Sequence, residues 1–321
     1  MENLVEIENL KVEYKTRGNV FGKEHTIHAI NGLSLNIQKG EILSIAGESG
    51  CGKSTLAKAL MKLVEVKDGK ILVNGFDIFK LQSRKDIKNF YKNVQMIFQN
   101  PYSSLNPKMR IGEILSEPLK INTDYTSAEI TKVISETLAK TGLDESCLDS
   151  YPHEFSGGQR QRIAIARSLV LNPKFIIADE PVSALDVSIQ AQIINLLKQL
   201  KQDYNLTILF ISHDLGVIRY ISDRIAVMYL GEIVETGMTE EIFENPKHPY
   251  TKALLGSVPE LNNKNTKERI KLEGELPSAQ NLPNGCKFHT RCPYVKDICR
   301  LQNPYYTEFS QTHNCKCFLY N

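Results

Sequence analysis

The sequence contains no tryptophan and almost no net charge: 39 Lys and Arg against 37 Asp and Glu leave +2 over 321 residues. Near-neutrality argues against a dedicated nucleic-acid binder, whose surface carries a basic stripe or a strong basic excess. No apolar run approaches the ~20 residues that a membrane-spanning helix needs. The opening Met1-Glu2-Asn3-Leu4 lacks the basic start and apolar stretch of a secretory signal. The chain is therefore expected in the cytoplasm, with any membrane role reached through a partner. Internal repeats and low-complexity tracts are missing too, so a stacked-repeat architecture is not indicated. Seven cysteines are present, but cytoplasmic thiols stay reduced, so burial or metal binding suits them better than disulfides. With 41% hydrophobic and 24% charged residues, what remains is a globular composition, long enough for one large domain with an appendage.

What is there is an alternation of apolar strands and helical segments. Leu4 to Val12 alternates roughly and Leu33 to Ile37 strictly, which marks strands. Lys39-Gly40 makes a turn, and Glu41 to Ala46 is the short apolar run of a buried strand. A helix is predicted over Lys53 to Leu63, and a strand over Val94 to Phe98 that ends at Gln99. From Ile111 to Leu171 the pattern turns helical. Ile111 to Leu119 is short, Ser127 to Thr141 closes at Gly142, and Gly157 to Leu171 is capped by Ser156 and stopped by Pro173. Phe175 to Ala178 and Thr207 to Ile211 are buried strands that deliver Asp179 and His213, with a helix from Asp186 to Leu200 between them. This order predicts an α/β fold with a mostly parallel core sheet, whose ligands bind outside the carboxyl ends of the strands.

Three of the motifs fall at such strand ends. Gly47-Glu48-Ser49-Gly50-Cys51-Gly52-Lys53-Ser54-Thr55 is the P-loop pattern. Its glycines let successive N–H groups face one phosphate, and the helix opening at Lys53 adds its positive end. Lys53 is then the charge on the β- and γ-phosphates, and the Ser54 hydroxyl a ligand of Mg²⁺. Asp179-Glu180 ends an apolar strand as a Walker-B pair does, with Asp179 toward Mg²⁺ and Glu180 polarising the attacking water. His213 is placed to bond the γ-phosphate, and Gln99 to touch the Mg²⁺ shell or lytic water. Taken singly, each is as well explained by an ordinary structural role. Tyr14 divides evenly between stacking on adenine and packing into the core.

Phe155-Ser156-Gly157-Gly158-Gln159, followed by Arg160-Gln161-Arg162, resembles the signature of ABC ATPases, with Ser183-Ala184-Leu185-Asp186 as the D-loop. The resemblance implies a P-loop NTPase of the ABC type, with a mostly parallel core sheet, an N-terminal antiparallel β subdomain and a helical subdomain at about 112–170. A nucleotide-binding domain over 1–260 would be followed by a linker and Cys-containing extension over 261–321, with Leu261 to Lys271 as the polar connection. It further implies two such domains closing head-to-tail over ATP and Mg²⁺. Ser156, Gly157, Gly158 and Gln159 of one then complete the pocket begun by the P-loop of the other, with Asp186 nearby. A lone P-loop kinase has no use for that motif.

Gln99-Asn100-Pro101-Tyr102-Ser103-Ser104-Leu105-Asn106-Pro107, the run from Asp179 to Gln192, and His248-Pro249-Tyr250-Thr251 are similar to oligopeptide and dipeptide importer subunits of the OppF/DppF type. The resemblance implies ATP-driven peptide uptake by a peripheral subunit on the cytoplasmic face of the cell membrane. Its partners would be a sister OppD/DppD-type ATPase (or a second copy of this chain), two permease subunits received at Asn100 to Ile111, and indirectly a peptide-binding protein. No nucleic acid is implied. A nickel-type importer subunit and a soluble ABC ATPase without a permease are the alternatives.

In the tail, Cys286, Cys292 and Cys299 recur as C-x5-C-x6-C, without the paired C-x2-C of common zinc sites, and Cys315 and Cys317 follow. Spacing alone leaves a metal site and free thiols at even odds. Gly285 to Tyr294 resembles the C-terminal extension of the same importer family, some members of which hold a [4Fe–4S] cluster on four cysteines. The resemblance implies Cys286, Cys292 and Cys299 as three ligands and Cys317 as the fourth, with Cys315 the alternative. Cys51 and Cys147 are read as non-ligands. A tail so rich in Pro, Asn and Cys is expected to need such a staple.

Overall fold

The structure, a computed structural model, describes residues 2–17, 24–100, 104–256 and 274–321. The expected linker at 261–271, the boundary at 260/261 and positions 101–103 of the expected permease contact lie outside the described residues. In chain order the strands are β1 (Asn3–Arg17), β2 (Glu24–Gln38), β3 (Ile42–Ala46), β4 (Asp68–Val73), β5 (Phe76–Asp77), β6 (Val94–Ile97), β7 (Phe175–Asp179), β8 (Thr207–Ile211), β9 (Arg224–Tyr229), β10 (Glu232–Met238), β11 (Tyr306–Glu308) and β12 (Asn314–Lys316). The helices are α1 (Lys53–Leu60), α2 (Arg84–Asn93), α3 (Ile111–Asn122), α4 (Ser127–Thr141), α5 (Gly157–Leu169), α6 (Val187–Tyr204), α7 (Leu215–Ile221), α8 (Thr239–Glu244), α9 (Pro249–Gly256) and α10 (Asp297–Leu301). An antiparallel sheet of order β2-β1-β4-β5 carries the N-terminal strands. The chain divides into two compact units.

The first unit comprises residues 1–5, 37–42 and 72–211. Its centre is the parallel run β6-β7-β8, in which Ile97 pairs with Ala178 and Asp179 with Ile211. Every residue of β7 and β8 is buried, which is why both read as unbroken apolar runs rather than alternations. Helices α3, α4 and α5 share a core of Ile111, Leu115, Leu119, Ile134, Leu138 and Ile163. Helix α4 begins at a Thr126–Glu129 capping box and stops at Gly142, which takes the left-handed conformation. Helix α3 runs past the expected Leu119 to Asn122, and α5 ends at Leu169, before the expected Leu171.

The second unit comprises residues 6–36, 43–71 and 212–321. Here β3 pairs in parallel with β9, and β9 turns back on β10 through Leu230-Gly231, both at positive φ. Helix α1 ends at Leu60 rather than Leu63, because Lys62 adopts a left-handed backbone. The tail departs from expectation. Instead of hanging on a staple alone, β12 adds to β10, with Cys315 opposite Glu235, and β11 adds to β12. Phe288 is fully buried against Tyr229 and Tyr250, so the tail contributes an aromatic cluster to the core.

Candidate nucleotide site and a cysteine-lined pocket

The phosphate loop leaves the buried strand β3 and opens α1 at Gly52. Gly52 has φ 111°, and a Cβ there would lie 2.5 Å from the Ala29 carbonyl oxygen, so this turn admits only glycine. Lys53 is buried and its Nζ donates to the carbonyls of Gly47 at 2.7 Å and Glu48 at 2.9 Å, bridging the loop it belongs to. Ser49 and Gly50 form the exposed tip, while Ser54 and Thr55 are half-buried in the first turn of α1. Cys51 is buried beneath the loop, and burial pushes its thiol up. Glu48 turns its carboxylate to Arg291 Nη1, at 2.9 and 3.2 Å, and donates its backbone N–H to the Tyr250 hydroxyl at 2.9 Å. Tyr14 lies near the end of β1 and is half-buried. His213 follows β8 by two residues and is exposed.

In the first unit, β6 and β7 bring Gln99 and Glu180 together: Gln99 Nε2 donates to Glu180 Oε2 at 2.9 Å. Asp179, the last residue of β7, is buried. Glu180 then takes φ 47°, a left-handed conformation that costs about 1–2 kcal/mol for a residue with a side chain. Its N–H donates to Ile211 O at 2.9 Å, and its carbonyl accepts the Ser183 hydroxyl at 3.1 Å.

The signature forms a capping box. Gln159 N donates to Ser156 Oγ at 3.3 Å, and Ser156 N to Gln159 Oε1 at 3.0 Å. Gly157 lies against Leu185 of the D-loop, and a Cβ on Gly158 would sit 2.6 Å from Ile189 Cγ2. Asp186 caps α6 by accepting from Ile189 N at 3.0 Å and from the Ser188 hydroxyl at 2.8 Å, which holds its carboxyl below the usual range. Gln190 Nε2 donates to the carbonyls of Val182 and Leu185, fixing the D-loop from behind.

In the second unit, Cys286, Cys292, Cys299 and Cys317 line one pocket together with His248, Phe288 and Lys296. Cys315 does not; it is fully buried on β12. Burial pushes the Cys286 thiol up to about 11, and those of Cys292 and Cys317 upward as well; the backbone N–H groups of Phe288, Tyr294 and Leu319 act in the opposite sense. Lys296 N–H donates to Cys299 Sγ at 3.4 Å. Among the described residues, no group of three or more His, Cys, Asp or Glu is arranged to hold a metal ion.

These placements coincide with two family patterns. That of the ABC transporters matches residues 30–183, and that of the oligopeptide/dipeptide transporter C-terminal region matches residues 234–299. An oligopeptide transport ATP-binding protein of Bacillus subtilis, AppF, is 50% identical over 323 residues, covering 100% of this chain and 98% of the relative. The chain belongs to the oligopeptide and dipeptide transport ATP-binding proteins of the ABC family. Other members are the oligopeptide transport ATP-binding protein OppF of Haemophilus influenzae, 48% identical over 98% of this chain and 97% of the relative, and the dipeptide transport ATP-binding protein DppF of Escherichia coli, 48% identical over 90% and 86%. Among solved structures, a dimeric ATP-binding cassette in a post-hydrolysis state with ADP and phosphate is 30% identical, with TM-score 0.65 over 73% of this chain and 98% of that one. A component of the cbiONQ transporter complex of Clostridium perfringens is 29% identical, with TM-score 0.64 over 76% and 92%.

The chain is thus an ABC ATPase. No helix among its described residues is long and apolar enough to cross a membrane. Two features of this ABC ATPase escaped the sequence reading. Arg291 and Tyr250 hold Glu48 although they lie 243 and 202 positions away in the chain. Gly158 is required by its approach to Ile189, whatever else its N–H does. Arg291 has a sequence signal, its place beside Cys292, but nothing in the sequence ties it to the phosphate loop.

Proposed function

We propose that this chain is the ATP-hydrolysing subunit of an importer of oligopeptides or dipeptides, peripheral to the cytoplasmic face of the membrane. It closes head-to-tail with a sister ATPase and drives two permease subunits fed by a peptide-binding protein. The observation that carries this reading is the full-length likeness to peptide-transport ATP-binding proteins, extending through the C-terminal region at 234–299. Roles are assigned unit by unit. Lys53 and the loop from Gly47 to Thr55 bind the phosphates, Ser54 offers Mg²⁺ a hydroxyl, and Tyr14 stacks on adenine. Asp179 serves Mg²⁺ through water, and Glu180, oriented by Gln99, draws a proton from the attacking water. His213 bonds the γ-phosphate. Ser156 and the N–H groups of Gly157 and Gly158, at the start of α5, serve the nucleotide of the partner subunit. ATP with Mg²⁺ supplies the phosphoryl group whose hydrolysis these residues serve.

The nucleotide-binding domain is assigned to 1–260, and the extension to 261–321. The pocket of Cys286, Cys292, Cys299 and Cys317 suits a [4Fe–4S] cluster. Cys286, Cys292, Cys299 and Cys317 would be the thiolates that hold it, since they line one cavity instead of converging on a single ion, and the Lys296 N–H at Cys299 would help to tune it. When bound, the cluster would supply positive charge that favours the thiolates of Cys286, Cys292 and Cys317, whose burial pushes the other way.

The test is co-expression with its permease and sister subunits, purification of the complex, and ATPase assay in proteoliposomes. Stimulation by a peptide-loaded binding protein is expected. Stimulation by a nickel-binding protein instead, or failure to co-purify with any permease, overturns the reading.

A further inference from the structure

Glu48 sits in the phosphate loop, yet its strongest partners come from the C-terminal part of the chain. Its carboxylate accepts from Arg291 Nη1 at 2.9 and 3.2 Å. The Arg291 side chain is 7% exposed and that of Glu48 25%. The Glu48 N–H donates to the Tyr250 hydroxyl at 2.9 Å. Tyr250 cannot swing away: it is fully buried, with its ring 4.7 Å from Tyr229 and 5.5 Å from Phe288. Burial pushes its hydroxyl upward, so it stays a neutral group that can accept the N–H. Both anchors of the loop are therefore buried, and Tyr250 is set by an aromatic cluster whose Phe288 also lines the cysteine pocket.

A carboxylate in a loop that binds phosphate opposes its own ligand unless it is neutralised. In a protein environment of effective dielectric about 20, two like charges about 10 Å apart repel enough to weaken binding roughly tenfold. The same carboxylate paired to a buried guanidinium costs little, because the pair presents almost no net field to the phosphates.

We propose that Arg291 is a positioning residue for ATP. It neutralises Glu48 and, together with Tyr250, fixes the loop, so that the C-terminal extension sets nucleotide affinity. The inference rests on the reading of the loop as the ATP site. It adds that residues far along the chain, in a segment outside the phosphate-binding motif, control how tightly that site binds.

The test is equilibrium titration of the full chain with a fluorescent ATP analogue and Mg²⁺. Thermal melting runs in parallel. Arg291→Met is expected to raise Kd roughly tenfold at low salt, with the defect shrinking as salt screens the exposed charge. Removing the charge as well, in Glu48→Gln/Arg291→Met, is expected to restore Kd to within about threefold of the unmodified chain. A purely structural role for Arg291 would not be relieved by a change at Glu48. If Arg291→Met does not fold, Arg291→Lys decides, with a Kd more than twofold but less than tenfold above that of the unmodified chain. Binding by either variant within twofold of the unmodified chain overturns the proposal. So does an Arg291→Met defect that Glu48→Gln leaves in place. Failure of the unmodified chain to show binding that Lys53→Ala abolishes refutes the nucleotide-site reading itself, a separate result.

Discussion

Gly158 offers a test in which packing and motif chemistry separate. An added Cβ would meet Ile189 Cγ2 at 2.6 Å and Ile189 Cδ1 at 3.6 Å. Ile189 is β-branched and sits in the first turn of α6, where its χ1 is held to one rotamer, so the side chain cannot swing clear. Gly158→Ala therefore forces α5 and α6 apart, at a cost of about 1–3 kcal/mol for overpacking. Alanine recovers up to about 1 kcal/mol of helix propensity over glycine, leaving a net loss of about 0–2 kcal/mol. With Ile189→Ala in place the obstacle is gone, only the propensity gain remains, and the same change becomes neutral or stabilising by up to about 1 kcal/mol. Urea unfolding of the four chains measures this coupling. In the assembled transporter, displacing the start of α5 moves Ser156 and Gly157, so turnover falls while ATP binding by the isolated subunit is unchanged. Equal destabilisation by Gly158→Ala in both Ile189 backgrounds would refute the packing argument.

Three further outcomes are expected. Glu180→Gln keeps the hydrogen-bonding shape beside Gln99 but removes the base, so ATP binds normally while single-turnover hydrolysis slows by about 10²–10⁴; unchanged turnover removes Glu180 from that role. Cys317→Ser purified anaerobically loses most of its iron and its absorbance near ~400 nm, whereas Cys315→Ala, on β12 and outside the pocket, keeps both; the reverse pattern makes Cys315 the ligand. His248 is fully buried, and burial lowers its pKa to about 4, while Tyr250 N–H donates to its Nδ1 at 3.1 Å. Below the ordinary value near 6.5 the unfolded chain takes up a proton that the folded chain refuses. Stability is therefore lost as pH falls from about 6.5 toward 4, by about 2 kcal/mol at pH 5. His248→Asn, which keeps an acceptor and cannot titrate, removes that part of the pH dependence in denaturation curves.

Strands β7 and β8 were legible because burial on both faces writes itself as an unbroken apolar run, as in Phe175 to Ala178 and Thr207 to Ile211. Helix α4 was legible because its cap and its stop are local chemistry, Thr126 with Glu129 at one end and Gly142 at the other. Helix α2 was not, since it buries only Phe90 and shows no apolar stripe to read. The site followed the same division. Gln99 and Glu180 each carried a signal at the end of its own strand, and parallel pairing of β6 and β7 made them neighbours. Nothing local marks Arg291 and Tyr250 as partners of Glu48, because what joins them is the seating of the tail by β12 on β10 and by Phe288 among the tyrosines. The tail was expected to lack a core because its composition was judged by itself; it borrows one from β9, β10 and α9. A motif is read from neighbours in the chain, while the groups that hold it in shape come from wherever the fold returns the chain, which is why Glu48 in the loop from Gly47 to Thr55 is held by an arginine 243 positions away.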